Sequence, residues 1–254
     1  MNFFDLSGQI ALVTGGNSGI GLAFARGLVK AGASVAIWGR DEQKNADALQ
    51  NIQALGGNAQ AFVCDVTKEE QIQSAFDATV AHFGKVDACF ANAGGSGKQG
   101  LLHKQTTADW NAILDLNLNS VVHTYRPVIA HLIARKAPGK LIVTSSTAAV
   151  MGMGYAAGYG TTKAAVLGLT RALAIELGRN NIQVNAVLPG YIETEMSINT
   201  PQAFRDAALR RTASGVFGTL EQMEGVAVFL ASKSSDFMTG QSIILDGGHS
   251  ISPM

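Results

Sequence analysis

The sequence predicts a doubly wound α/β fold: one parallel sheet of seven strands with helices on both faces. Three observations carry that prediction. Short β-branched runs alternate with longer amphipathic runs along the chain, as strand–helix–strand crossovers require. The strand-like runs are apolar throughout instead of alternating, as strands covered on both faces are. A glycine-rich segment, TGGNSGIG at 14–21, falls between the first such run and the helix-like run after it.

Taken in order, QIALVT is the first strand and GIGLAFARGLVKAG the first helix. SVAIWG and AQAFVCD are the second and third strands, separated by the helix-like EQKNADALQNIQALGG. KEEQIQSAFDATVAHFG then leads as a helix to the strand VDACFANAG. One long helix is expected across ADWNAILDLNLNSVVHTYRPVIAHLIARK, followed by the strand GKLIVTSS. GYGTTKAAVLGLTRALAIEL opens the next helix, and IQVNAVLPG and QSIILDGG complete the sheet. Right-handed crossovers between such strands give a Rossmann-type layer structure. No linker-like tract, low-complexity stretch or fixed-period repeat divides residues 1–254, so a single domain is expected. In these sheets ligands bind beyond the carboxyl ends of the strands, which makes the residues after each strand the candidates for function.

Composition removes several function classes. Lys plus Arg and Asp plus Glu each number 19, and the basic residues are scattered, which argues against nucleic acid or an anionic membrane as partner. No apolar run approaches a bilayer span, and MNFFDLSGQIALVTG has no basic leader, so a cytoplasmic protein is expected. Cys64 and Cys89 read as buried free thiols, which fits a reducing compartment. His82, His103, His123, His131 and His249 show no metal-ligand spacing.

Two patterns carry chemistry. In the glycine-rich turn, Gly15, Asn17, Ser18, Gly19, Ile20 and Gly21 let a pyrophosphate approach the main chain, and the helix that follows offers free N–H groups to an anion. A dinucleotide is the expected ligand. Tyr159 and Lys163 stand four residues apart at the head of a helix, about one turn, so both side chains leave the same face.

At the glycine turn the chain resembles the short-chain dehydrogenase/reductase family, whose compact members carry Thr-Gly-x-x-x-Gly-Ile-Gly, as residues 14–21 do. The likeness continues through Asn92, Ala93 and Gly94 after the fourth strand, and Asp65 with Val66 after the third. It extends to Asn117 in DLNLNS, Ser146 thirteen residues before Tyr159, and PGYIET, with Pro189, Gly190, Ile192 and Thr194. The resemblance implies an NAD(P)(H)-dependent oxidoreductase that interconverts a ketone and a secondary alcohol. Tyr159 would exchange the proton, and a nearby ammonium, Lys163, would lower its pKa. Ser146 would hold the substrate oxygen, and Asn117 would hold a water linking Lys163 to solvent. Asp65 would contact adenine, and the 189–194 loop would hold the nicotinamide amide.

The end of the second strand bears on the choice of nicotinamide. Gly39 stands where NAD-preferring members place an acid, and Arg40 follows, which resembles the NADP-preferring pattern. NADP(H) is therefore expected, with NAD(H) the alternative. Asp41 reads as a helix cap, and Asn17 and Ser18 occupy places where many NADP users carry a second basic residue.

The substrate pocket is expected from Ser146, Met153, Tyr155, Tyr191 and Met196, an apolar and adaptable lining for a small ketone or secondary alcohol. No arginine or lysine lies close to the catalytic serine, which argues against a carboxylate held there. A 3-oxoacyl-carrier-protein reductase is the alternative, although Ile175 occupies a position where many of those enzymes carry a carrier-docking arginine. A non-catalytic nicotinamide-sensing protein is the remote one. The long helices and the last strand predict a homotetramer, and the sparsely apolar stretch at about 196–218 predicts a mobile substrate lid.

Overall fold

The structure, a computed structural model, describes residues 2–194, 197 and 200–251. Seven strands form one parallel sheet: β1 (Ile10–Thr14), β2 (Ser34–Gly39), β3 (Ala59–Val63), β4 (Ala88–Ala91), β5 (Gly139–Thr144), β6 (Ile182–Pro189) and β7 (Ser242–Leu245). Their order across the sheet is β3-β2-β1-β4-β5-β6-β7. The chain thus winds outward from β1 to β3, returns across β1, and winds outward again from β4. The reversal lies between β1 and β4, where Leu12 pairs with Cys89 and Val13 with Phe90. A crevice opens at such a reversal because the crossovers on either side run to opposite faces of the sheet.

Among the described residues the α-helices are α1 (Gly19–Lys30), α2 (Glu42–Gln53), α3 (Glu69–Phe83), α4 (Thr107–Leu114), α5 (Ser120–Arg135), α6 (Ala157–Leu177), α7 (Gln202–Arg211) and α8 (Glu221–Ala231). Side chains alternate across the strands and divide the core in two. Leu12, Trp38, Cys89, Leu141 and Val184 pack with Ile72 and Phe76 of α3, Tyr125 and Leu132 of α5, and Val166 of α6. On the other face Val13, Ile37, Phe90 and Ile142 meet Phe24 and Leu28 of α1, Ile52 of α2 and Leu230 of α8. β1, β5 and β6 are buried along their whole length, whereas the edge strands β3 and β7 are partly open. Residues that run apolar without alternation are therefore those covered on both faces. Trp38, near the end of β2, turns into the core and donates to Thr79 Oγ1 at 3.0 Å.

α1 and α8 approach most closely at Gly27, where a Cβ would come within 2.6 Å of the Glu224 carbonyl oxygen. Arg26 and Lys30 then reach Glu224 at 3.0 and 2.6 Å.

The long helix expected before β5 runs without a gap from Thr107 to Arg135 and contains a π-helical turn. Thr106 and Asp109 start α4 with a reciprocal capping box, and residues Asp115–Asn119 form a π-helical turn before α5. The cause is the carboxamide of Asn117, drawn to the backbone of Gly95: it accepts from the Gly95 N–H and donates to the Gly95 carbonyl, both at 2.9 Å. A π turn swings one residue out of the regular ladder, and such turns occur often at functional sites. Among the described residues no helix is long and apolar enough to cross a membrane.

Candidate active site

The first strand ends at Thr14, and the glycine turn begins with its amide already engaged: Gly15 N–H donates to the Trp38 carbonyl at 2.7 Å. Gly15 and Gly19 take φ of +62° and +50°, which side chains with a Cβ seldom adopt. Ser18 makes no side-chain cap to α1, so the first-turn N–H groups of that helix face the crevice without an internal acceptor. A pyrophosphate fits this cradle: glycine allows close approach, and the helix end supplies donors and a favourable dipole.

One threonine fixes the neighbouring strand ends. Thr14 Oγ1 accepts from the amides of Asn92 and Ala93, each at 3.0 Å. Asn92 returns a bond to the Thr14 carbonyl at 3.2 Å and accepts from Thr144 Oγ1 at 3.0 Å. The carboxyl ends of β1, β4 and β5 are thereby clamped to one another. Gly21 serves the same packing, since a Cβ there would meet the Gly15 carbonyl and the Asn92 carboxamide.

The opposite end of the crevice is built on β5 and α6. Lys163 is buried, and its ammonium donates to the Thr144 carbonyl at 2.8 Å and lies 5.8 Å from the centre of the Tyr159 ring. Ser145 Oγ donates to the Lys163 carbonyl at 2.7 Å and ties α6 to the strand end. Ser146 Oγ accepts from the Ala148 amide at 3.1 Å and is hydrogen-bonded to Tyr159. Asn117 stands behind this wall, its carboxamide also donating to Thr162 Oγ1 at 3.2 Å. Gly94 lies between: a Cβ there would be 2.9 Å from Asn117 Oδ1 and 3.3 Å from Lys163 Nζ.

Burial governs the electrostatics. It lowers the Lys163 ammonium from 10.5 to about 8. It also raises the Tyr159 phenol above its ordinary value, with the hydrogen bond to Ser146 acting in the opposite direction. The phenol therefore lies above its ordinary value and not below it as expected, because desolvation of the buried phenolate outweighs the hydrogen bond with Ser146.

A cavity of about 590 Å³ joins the two ends. Gly15, Ser18, Gly19 and Ile20 line one end, Asn92, Ala93 and Gly94 the middle, and Ser146, Tyr159 and Lys163 the other. Pro189, Gly190, Ile192 and Thr194 close the side. Other predicted residues stand off the lining. Asn17 donates to Asn45 Oδ1 at 2.8 Å, tying the glycine turn to α2. Arg40 is exposed, Val66 is buried in the core, and Asp65 turns back to accept from the amide and hydroxyl of Thr67 at 3.0 and 2.8 Å.

The predicted substrate residues divide. Met153 and Tyr155 are exposed, and Tyr155 takes φ of +63° while its carbonyl accepts from Gly100. Tyr191 does not line the cavity: its ring packs on Phe217 at 4.6 Å and Phe204 at 6.1 Å. Met196 lies outside the described residues. Gly95, in the loop GGSGKQGLLH from which part of the pocket is expected, lines the cavity, and three lining residues escaped the sequence reading: Lys44, Thr144 and Ser145. The last two adjoin motif residues, and that adjacency was the available signal. Lys44 is brought in by topology alone.

Comparison with known proteins agrees with this geometry. Residues 15–250 match the family described as enoyl-(acyl carrier protein) reductase. The chain is 36% identical to a 3-oxoacyl-[acyl-carrier-protein] reductase of Thermotoga maritima over 244 residues, covering 96% of this chain and 98% of that protein. It is 35% identical to the gluconate 5-dehydrogenase of Gluconobacter oxydans over 253 residues, 99% of this chain and 98% of the other. The crystal structure of a gluconate 5-dehydrogenase from Burkholderia cenocepacia, in complex with NADP and tartrate, superposes with a TM-score of 0.92 at 37% identity, covering 98% and 97% of the two chains. With the glycine turn, the clamped strand ends and the serine, tyrosine and lysine on one wall, these likenesses establish that the chain belongs to the short-chain dehydrogenase/reductase family.

Proposed function

We propose that the protein is an NADP(H)-dependent oxidoreductase interconverting a small ketone and a secondary alcohol, with Tyr159 exchanging the proton at the substrate oxygen. The observation that carries this reading is the convergence of Ser146, Tyr159 and Lys163 on one wall of a cavity whose far end is the glycine cradle. Residues 15–21 would hold the pyrophosphate, Arg40 the 2′-phosphate, and Asn92–Gly94 with Pro189–Thr194 the nicotinamide end. When bound, the nicotinamide supplies or accepts the hydride. Tyr159, neutral at physiological pH because its pKa is raised, is in the protonation state that gives a proton to a reducing carbonyl. Ser146 offers a hydroxyl where charge develops on that oxygen. Lys163 steadies the phenol from the same helix face, and Asn117 positions the wall through Gly95 and Thr162.

The relatives support two substrate classes: a keto sugar acid, as in gluconate 5-dehydrogenase, and a carrier-bound 3-oxoacyl thioester. Against the second stands Ile175, exposed to 85% on α6 where a docking arginine would be expected. A homotetramer fits the exposed Ile133, Ile175 and Ile244 on α5, α6 and β7, and sedimentation at four times the 26.5 kDa chain is the expected outcome. A cytoplasmic place fits two buried, unpaired cysteines. Residues about 196–218 are read as a substrate lid.

The deciding experiment is a panel of simple ketones, a keto sugar acid and a 3-oxoacyl thioester, each assayed with NADPH and NADH. Turnover of at least one ketone with NADPH preferred is expected. Binding of NADPH without turnover of any would favour a nicotinamide-sensing protein instead.

A further inference from the structure

We propose that Lys44, on the first turn of α2, is the second cation for the 2′-phosphate of the cofactor, acting with Arg40 at the adenosine end of the cavity. The inference rests on the NADP(H) reading above and adds a residue to it.

The glycine turn carries no basic side chain, and Asn17 is committed elsewhere. Its carboxamide donates to Asn45 Oδ1 at 2.8 Å, and Asn45 donates in turn to the Gly39 carbonyl at 3.0 Å. A Cβ at Gly39 would collide with both asparagines. These bonds lock the start of α2 against the glycine turn and the end of β2. Lys44 directly precedes the buried Asn45, and its amide is fixed by the Asp41 cap at 2.9 Å. The backbone that carries Lys44 is therefore held in place from two sides. Its side chain lines the cavity together with Ser18 and Gly19.

The charges nearby favour a second cation. Arg40 stands off the lining and has acidic neighbours. Burial raises the Asp65 carboxyl, but the hydrogen bonds from Thr67 and the charges of Arg40 and Lys68 outweigh it and hold that carboxyl below its usual value. Asp41 also follows Arg40 directly. A phosphate dianion brought to Arg40 would meet these two carboxylates as well. Lys44, four residues after Arg40 and inside the first turn of α2, adds a positive charge on the cavity side, and the start of α2 adds its dipole with the same sign. Arginine contributes a fork of donors and lysine a mobile point charge, so the two do not compete for one geometry.

The test is calorimetric titration of the parent, Lys44→Gln, Lys44→Arg and Arg40→Gln proteins with NADP⁺ and with NAD⁺. Both positions are exposed, so folding is preserved. Lys44→Gln is expected to weaken NADP⁺ about tenfold, the scale of one charge-assisted hydrogen bond, and NAD⁺ by less than about twofold. Lys44→Arg should recover most of the NADP⁺ affinity. Unchanged NADP⁺ binding in Lys44→Gln, or an equal loss for both cofactors, would overturn the role given to Lys44. If at the same time the parent prefers NADP⁺ and Arg40→Gln loses that preference, the NADP(H) reading stands without Lys44. A parent that prefers NAD⁺ sinks both.

Discussion

The wall that carries Tyr159 and the group formed by α7, Tyr191 and Phe217, which lies behind the 189–194 loop that closes the cavity, are held by different means. Behind Tyr159, buried polar groups are bonded to the ends of the central strands: Lys163 to the Thr144 carbonyl at 2.8 Å, Ser145 to the Lys163 carbonyl at 2.7 Å. Behind the 189–194 loop, α7 wholly buries one residue, Ala208. Arg205 ties it to Glu193 at 3.3 Å and to the Ser197 carbonyl at 3.0 Å, with its guanidinium 5.2 Å above the Phe217 ring, and Glu193 is itself exposed. Proton exchange demands a fixed geometry, and substrate entry demands an element that opens at small cost. The difference in anchoring fits the proposed reading, with chemistry on the first and access governed by the second.

The strongest way to break this assignment is Tyr159→Phe. Loss of a positioned general acid is expected to lower kcat by about 10²-fold or more while leaving cofactor affinity unchanged. Near-parental turnover would remove chemistry from the fixed wall. The pH dependence sharpens the same point. With its pKa raised, the phenol keeps its proton through neutral pH, so ketone reduction should persist there. Alcohol oxidation needs the phenolate and should rise as the pH climbs. Profiles of kcat/KM in the two directions that run parallel would contradict this.

Next in size is Thr14→Val. Two part-buried amides, of Asn92 and Ala93, lose their shared acceptor at 3.0 Å, and valine keeps the shape. Destabilisation of about 1–3 kcal/mol is expected, read by urea unfolding, with a rise in KM for the cofactor. A stability equal to the parent would show that the strand clamp is dispensable.

These residues also mark what the sequence makes legible. Strand and helix alternation, the glycine turn and the spacing of Ser146, Tyr159 and Lys163 are local patterns, and local patterns survive without tertiary knowledge. The π turn at Asp115–Asn119 was hidden because its cause, the backbone of Gly95, lies 22 residues away in the chain. Lys44 was hidden for the same reason, since only the β2–α2 connection brings it to the glycine turn. Tyr191 misled because nearness to a motif does not say which way a ring faces: Phe217 and Phe204 claim it. The phenol pKa misled because a neighbouring charge is visible in a sequence and the depth of burial is not.

A smaller change in stability, of opposite sign, is expected from Lys163→Met. The ammonium titrates near 8 in the folded chain against 10.5 for an ordinary lysine. Its charged form is thus disfavoured by folding, and the unfolded chain binds more protons between those values. The cost is full below pH 8 and fades as pH rises toward 10.5, on the order of 3 kcal/mol at neutral pH. Methionine removes that cost but leaves the Thr144 carbonyl without its donor, about 1–2 kcal/mol. The variant should be inactive yet more stable at pH 7, by about 1–2 kcal/mol, with the gain gone by pH 10. Thermal unfolding at both values measures it, and a variant less stable at both would mean that the buried charge is compensated by more than one carbonyl.

The smallest expected effect on stability lies in α7, part of the proposed lid. Phe204 is 44% exposed although it touches Tyr191, so Phe204→Ala should cost less than about 1 kcal/mol. Its consequence should appear in motion instead. Tyr191 belongs to the loop whose Gly190, Ile192 and Thr194 line the cavity, and its ring joins that loop to Phe204 on α7 and to Phe217 beyond it. The far end of α7 is tied to the chain after β7: Arg211 Nε donates to the His249 carbonyl at 3.4 Å, and the Ser214 amide to the Gly247 carbonyl at 2.9 Å. A ligand that orders the 189–194 loop should therefore transmit that order through Tyr191 to α7, whose last turn is already held. Amides of residues 200–218 are expected to gain hydrogen-exchange protection when NADPH binds, more so with a substrate analogue, and to gain less in Phe204→Ala. Equal exchange with and without ligands would reduce α7 to a surface helix with no part in access.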